Sequence, residues 1–449
     1  MRPQEWHQHT SIDLARWSSI IPAMKSLLIA SALLLSHSTF AGDWPQYGGP
    51  WRNNLSAETG LLKKWPDAGP RLLWTFKNTG TGLTGPAIVG ERLYITGSRT
   101  GTEYLMALNV RAGTEAWAAA IGKTFDWERN KWHAGPSATP TVDGNVIFAL
   151  GGAGDLICVE ALTGRLIWKK NLPTELEAEI NPIGGGPKKL GWGFTWSPLV
   201  DGEQLICLPG GPKGTFAALN KRTGAVLWRS AEATDQATYT SPVIAEFDRI
   251  RQYVALTNKG LLGVDARTGK LLWSWQREKP YSTEVVNSPI VVGNLVYVTV
   301  GAGNGCDLLR VTRAGAQFKV EPVWSNKNLA NHHGGVVLLG HHLYGYADRQ
   351  GWTCQDFKTG EVVWAERQKL RSGSVTFADG HLYCYSENDG TVTLIEAVPT
   401  GWKENGRFAI PQQSSLRKPA GKLWTPPVVV GGRLFLRDQE LLFCYDVKQ

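Results

Sequence analysis

Residues 156–168, LICVEALTGRLIW, decide the fold. An apolar run reaches Thr163-Gly164, and a second apolar run ends on Trp168. The template returns at 105–117 (LMALNVRAGTEAW), 216–228 (FAALNKRTGAVLW), 261–273 (LLGVDARTGKLLW) and 352–364 (WTCQDFKTGEVVW). Glycine supplies a turn conformation that a side chain resists, so each copy reads as a β-hairpin. A second pair of short strands precedes most hairpins, as in TPTVDGNVIFAL from 139, SPVIAEFDRIRQYVAL from 241 and SPIVVGNLVYVTV from 288. Four strands therefore make one unit. Marker tryptophans fall at 74, 117, 168, 228, 273, 324 and 364, with Phe408 in the eighth place. Their spacing of 40 to 60 residues suits a four-stranded propeller blade with variable loops.

The two ends predict how the ring closes. Residues 72–74 (LLW) form an outer strand with no blade before it, while 427–447 (PVVVGGRLFLRDQELLFCYDV) supplies three strands and stops. Joining them completes an eighth blade and removes an open edge. The expected fold is all-β: an eight-bladed β-propeller over 71–449, its last blade closed by N- and C-terminal strands, with a lead-in segment over 42–70. The marker indoles are read as packing between blades, where truncating a buried aromatic costs roughly 3–5 kcal/mol.

Composition agrees with an all-β chain rich in turns. Among 449 residues there are 51 Gly, 24 Pro and 20 Trp, and the net charge is +8. The positive residues are scattered rather than clustered, which argues against nucleic-acid or membrane attraction. Met24-Lys25, the apolar run 27–35 and Thr39-Phe40-Ala41 before Gly42 read as an export signal. On that reading Met24 is the true start, residues 1–23 are an over-called extension and 1–41 are absent from the mature protein. The apolar run is too short to span a bilayer. The expected location is the periplasm or the extracellular space, as a monomer. Cys158, Cys207, Cys306, Cys354, Cys384 and Cys444 occupy strand-like positions and are read as small buried hydrophobes rather than disulfides.

The LxALDxxTGxxxW hairpin resembles the PQQ-type propeller repeat of quinoprotein alcohol dehydrogenases and of the propeller in the outer-membrane assembly machinery. The resemblance runs over about 70–449. Residues 43–50 (DWPQYGGP), Trp65-Pro66 and 331–335 (NHHGG) also resemble a group of exported bacterial PQQ-like proteins. This sequence departs from the dehydrogenases that it resembles, whose Glu, Asn and Asp set around calcium has no assigned positions here. The adjacent cysteine pair of the dehydrogenases is missing, and so is a Cys-x-x-Cys-His haem site. Fold alone does not carry redox chemistry.

Several motifs fail on context. GTGLTG at 80–85 leads into a strand instead of a helix, and Gly122-Lys123-Thr124 lacks the upstream glycine of a phosphate loop. Asp143-Gly144, Asp201-Gly202 and Asp379-Gly380 read as turn chemistry. Two long connections are the better lead. Residues 125–133 (FDWERNKWH) follow Trp117, and 173–196 follow Trp168. They are expected on neighbouring blades at one mouth of the channel, as a binding pocket or a packed lid. Trp127, Trp132, Trp192 and Trp196 would form an aromatic wall, with Lys131 and His133 as polar groups. His332 and His333 lead into the sixth blade, and an extended backbone would turn at most one of them to the channel. A metal site there would need ligands from other blades, and Glu284, Asn287 and Asp307 are the possible contributors by blade position. No catalytic set and no metal set is assigned.

Three functions follow. The first is a binding propeller for a small molecule, a carbohydrate or an envelope protein. The second, implied by the resemblance, is an alcohol dehydrogenase using PQQ and calcium, with Trp192 or Trp196 stacked on the quinone. The third is an envelope-assembly scaffold in which a blade edge takes a partner strand.

Overall fold

The computed structural model describes residues 42–315 and 317–449; the export signal and the proposed start at Met24 lie outside them. Among the described residues eight sheets form the ring, each with four antiparallel blade strands, and one of them carries a fifth, parallel strand. Blades 1 to 7 span 87–123, 141–171, 199–229, 243–276, 290–326, 336–366 and 373–409. Blade 8 combines Val428–Val430, Arg433–Asp438 and Leu441–Asp446 with Arg71–Phe76 from the other end of the chain. The register sets Leu72 opposite Tyr445, Trp74 opposite Cys444 and Thr75 opposite Phe443. The eight-bladed ring and its two-ended closure are both as the sequence predicts. One helical turn, Leu172–Leu176, follows blade 2.

The repeat has a packing logic that reaches from blade to blade. In the turn of blade 3, Gly224 has φ +73°, and a Cβ there would lie 3.0 Å from the ring of Trp168 in blade 2. The same glycine therefore makes the turn and leaves room for the preceding blade's indole. Trp168 Nε1 donates to the Lys221 carbonyl at 2.9 Å in that turn. The relation repeats from Trp74 to Gly113, Trp117 to Gly164, Trp228 to Gly269 and Trp324 to Gly360. Asn109, Asn220, Asp265 and Asp356 hold these turns by accepting from two following backbone N–H groups. All six cysteines are free and buried.

Blades 8 and 1 share one apolar layer, with Phe435, Leu442 and Cys444 against Leu93, Ile95, Met106 and Leu108. Arg437 staples the same seam. Its guanidinium is buried and donates to the carbonyls of Gly80, Thr84, Thr96 and Gln439 and to the Thr84 hydroxyl. Burial pulls its pKa down to about 9.

The lead-in segment is a stopper in the channel. Trp44 pairs with Ile88 on the inner strand of blade 1, and Val142 of blade 2 donates to the Pro45 carbonyl. Tight turns over 47–53 follow. Arg52 then donates to the Ser197 and Pro198 carbonyls before blade 3. Leu55–Ser56 returns as a parallel strand on Phe377–Ala378 of blade 7, and the Ser56 hydroxyl donates to Val429 of blade 8. Gly48 and Gly49 permit this reversal. Their φ values are +68° and +79°, and a Cβ would lie 2.7 Å from the Arg52 backbone or 2.9 Å from the Trp44 ring.

Candidate functional site

The connections from each outer strand to the next inner strand gather on one face, around a cavity of about 270 Å³. Every such connection among the described residues lends it a residue except the one between blades 6 and 7. Tyr47, carried up the channel by the stopper, lies in its lining. Burial raises the Tyr47 hydroxyl pKa and lowers that of Arg52 to about 10. Arg52 lies 5.9 Å from the Tyr47 ring centroid.

Trp192 is the centre of one wall. Trp132 meets it edge-on at 5.1 Å, Trp127 packs at 5.0 Å and His133 at 5.9 Å. The loop bearing Trp192 is fixed by Tyr239, whose hydroxyl donates to the Asn181 carbonyl at 3.0 Å and accepts from the Trp192 N–H at 3.3 Å. The loop bearing Trp132 is fixed by Lys418, which donates to Asp126 at 2.7 and 2.8 Å. The opposite wall is His333 stacked on Trp424 at 4.9 Å, and Trp424 Nε1 donates to Glu387 at 3.0 Å.

One carboxylate faces the cavity among the described lining residues. Glu284 Oε2 lies 3.3 Å from His332 Nε2 and accepts from the Thr283 hydroxyl at 2.5 Å. Burial works to raise its pKa, but the bonds from His332, Thr283 and its own backbone outweigh that and hold it at about 2. Gly184 packs so closely on Glu284 that a Cβ would lie 2.0 Å from Oε1. Burial, then the Lys418 charge, pushes the His133 pKa down to about 4. Burial and the neighbouring His332 push His333 to about 3. Both rings are therefore neutral near pH 7. Three buried polar atoms around the cavity have no protein partner: Trp192 Nε1, His133 Nε2 and Ser137 Oγ.

The residues named from sequence divide into three groups. Trp132, His133, Trp192, Asn287, His332 and His333 come together in the lining. Trp127 stands behind Trp192, and Lys131 is exposed outside the cavity. Trp196 is fully buried in the core between blades and does not reach the cavity. Asp307 is engaged by Arg277 at 2.6 Å, also away from the lining. Trp196 therefore takes no part in the expected aromatic wall, and the histidine pair also differs from expectation. His332 and His333 both face the cavity, with rings 4.1 Å apart. The backbone there bends ahead of Gly334 and Gly335, at φ +90° and +79°, so the alternation of an extended strand does not apply. Tyr47, Ser137, Tyr239 and Trp424 were not singled out from sequence. Trp424 carried the same signal as Trp192, a tryptophan outside the marker series in a long connection.

A calcium-bound quinone does not fit this donor set. The lining offers one carboxylate, already bonded to His332 and Thr283. Asn287 donates its amide N–H to the Asn331 carbonyl at 2.8 Å. Among the described lining residues there is neither a second carboxylate for a hard dication nor a lysine or arginine to meet the quinone's own carboxylates.

Comparison with known proteins gives the lineage. The family described as outer membrane protein assembly factor BamB matches residues 101–366. The tetrathionate hydrolase of Acidithiobacillus ferrooxidans is 22% identical over 51% of this chain, which spans only 44% of that protein. Outer membrane protein assembly factor BamB of Bordetella pertussis is 23% identical over 76% of each chain. The quinohemoprotein alcohol dehydrogenase structure from Comamonas testosteroni superposes with TM-score 0.58 at 12% identity, over 91% of this chain and 81% of that one. At that identity the likeness is one of fold.

Proposed function

We propose, from the premise that this chain belongs to the PQQ-repeat propeller family described as outer membrane protein assembly factor BamB, that it is an exported binding propeller holding a small ligand in the cup on its loop-rich face. One observation carries this reading. Aromatic rings from separate connections surround the cavity, and three of its lining residues, Trp192, His133 and Ser137, carry buried polar atoms with no protein partner. A buried donor left unpaired costs about 1–3 kcal/mol, so a ligand that bonds to these groups is favoured. The rings supply contact area at little entropic cost. The relatives' envelope setting, together with the signal-like 24–41 segment, supports action outside the cytoplasm. No helix among the described residues is long and apolar enough to cross a membrane.

A scaffold role has one feature in its favour. Leu166 and Ile167 on the outer strand of blade 2, and Val226 and Leu227 on that of blade 3, are exposed, where a partner strand could add. The cup distinguishes the two readings. Intrinsic tryptophan fluorescence of the purified protein, titrated with a mixed set of uncharged sugars, organic cations, organic anions and PQQ with calcium, should show saturable binding by at least one compound. Binding should weaken at least tenfold, about 1.4 kcal/mol, in Trp192→Ala. A response from no compound in the set would sink the ligand-cup reading and leave the blade edges.

A further inference from the structure

The ligand class of the cup follows from how the channel ends and how its walls are charged; the inference rests on the cup being a ligand site. We propose that the cup takes the terminal ring of an uncharged glycan, entering end-on from the loop-rich face.

The stopper makes the channel a dead end. The segment from Trp44 to Ser56 is tied to the inner edges of blades 1, 2, 7 and 8 and to the Ser197-Pro198 carbonyls before blade 3, and Tyr47 stands at its upper tip within the cavity lining. A polymer cannot thread through, so only an end can enter. A volume of about 270 Å³ lies just below the usual range of small-molecule pockets, roughly 300–1,000 Å³. It suits one ring, not an extended chain.

Charge narrows the class further. Among the described lining residues, Glu284 is the one carboxylate, and no lysine or arginine lines the cup. An anionic ligand would meet that carboxylate with no cation to offset it. An organic cation would find Glu284 already covered by His332, Thr283 and Gly184. It would also leave the donor Trp192 Nε1–H and the Ser137 hydroxyl without an acceptor. A polyhydroxylated ring meets both demands. Its hydroxyls accept from Trp192 and Ser137 and donate to His133 Nε2 or Glu284. Its C–H face lies on an indole, with Trp132 at the rim, 41% exposed, positioned for the next ring outward.

The test is calorimetry and tryptophan quenching on the full chain. The probes are maltose, cellobiose, xylobiose and chitobiose, the longer linear homologue of any that bind, β-cyclodextrin as a glucan without ends, choline, and PQQ with and without calcium. The expected result is binding of at least one neutral disaccharide at about 1 mM or tighter. Its linear homologue should bind equally and the cyclic glucan should not bind. Affinity should fall at least tenfold in Trp192→Ala and in Trp132→Ala, the second of which removes the exposed ring at the rim together with its edge-on contact to Trp192. Binding of choline or PQQ alone, lost in Trp192→Ala, would overturn the glycan assignment while keeping the ligand cup. Equal binding of the cyclic glucan would overturn end-on entry. Silence from every probe would remove both the assignment and the cup.

Discussion

At the scale of single residues, the groups with most at stake are buried polar ones that work without an ion-pair partner. Arg437 binds the blade 8–blade 1 seam through carbonyl and hydroxyl oxygens alone. Arg437→Met should cost roughly 3 kcal/mol or more, because those carbonyls stay buried after their donor is gone; urea denaturation measures it. His133 gives a pH signature. Its folded pKa of about 4 lies below the ordinary imidazole value. The unfolded chain therefore takes up a proton that the fold refuses, and the stabilisation present above about pH 6.5 is lost as pH falls toward 4, at about 1.4 kcal/mol per unit. Stability measured at pH 7 and at pH 5 should differ less in His133→Asn than in the parent. An unchanged difference would place the acid sensitivity elsewhere. Gly224 joins two roles in one position, so Gly224→Val should both strain the turn and displace Trp168, lowering the thermal midpoint by several degrees.

At the scale of elements, the hairpins were legible in the sequence and the connections were not. Each hairpin writes its whole instruction within thirteen residues: an apolar run, a Thr-Gly turn and an indole. Local sterics and the neighbouring blade demand the same letters, so the pattern repeats. The cup has no such local grammar. Its residues come singly from connections dozens of positions apart and share no motif. The long connections point to Trp192 and Trp132, but the equally long connection that holds Trp424 follows Phe408 instead of a marker tryptophan, and Tyr47 lies in a segment read as a lead-in. Periodicity also cannot report a bend, which is why His332 and His333 were expected to diverge. The stopper itself rests on a two-glycine reversal. Gly49→Val should push Trp44 from its place against Ile88. Hydrogen exchange across 43–58 should then rise, with the eight hairpins still protected.

At the scale of the molecule, closure couples everything. Each blade lends its indole to the next blade's turn around most of the ring, and the last gap is bridged by Arg71–Phe76 lying on Leu441–Asp446. A ring fastened this way should melt in one transition, and removing 441–449 should unfold the whole rather than one blade. Calorimetry of the truncated chain checks this: a surviving transition with most of the parent enthalpy would show blades that stand alone.

The strand at 71–76 and the stopper before it leave the ribosome some 370 residues ahead of their partners at 428–446. Contacts at that separation are slow to form, and until they do the growing chain carries an unpaired apolar strand at its front. Time spent half-made is therefore the hazard this architecture faces. A cell that delivers the chain unfolded and complete avoids it, whereas one that lets it fold as it emerges risks pairing that early strand with the wrong neighbour.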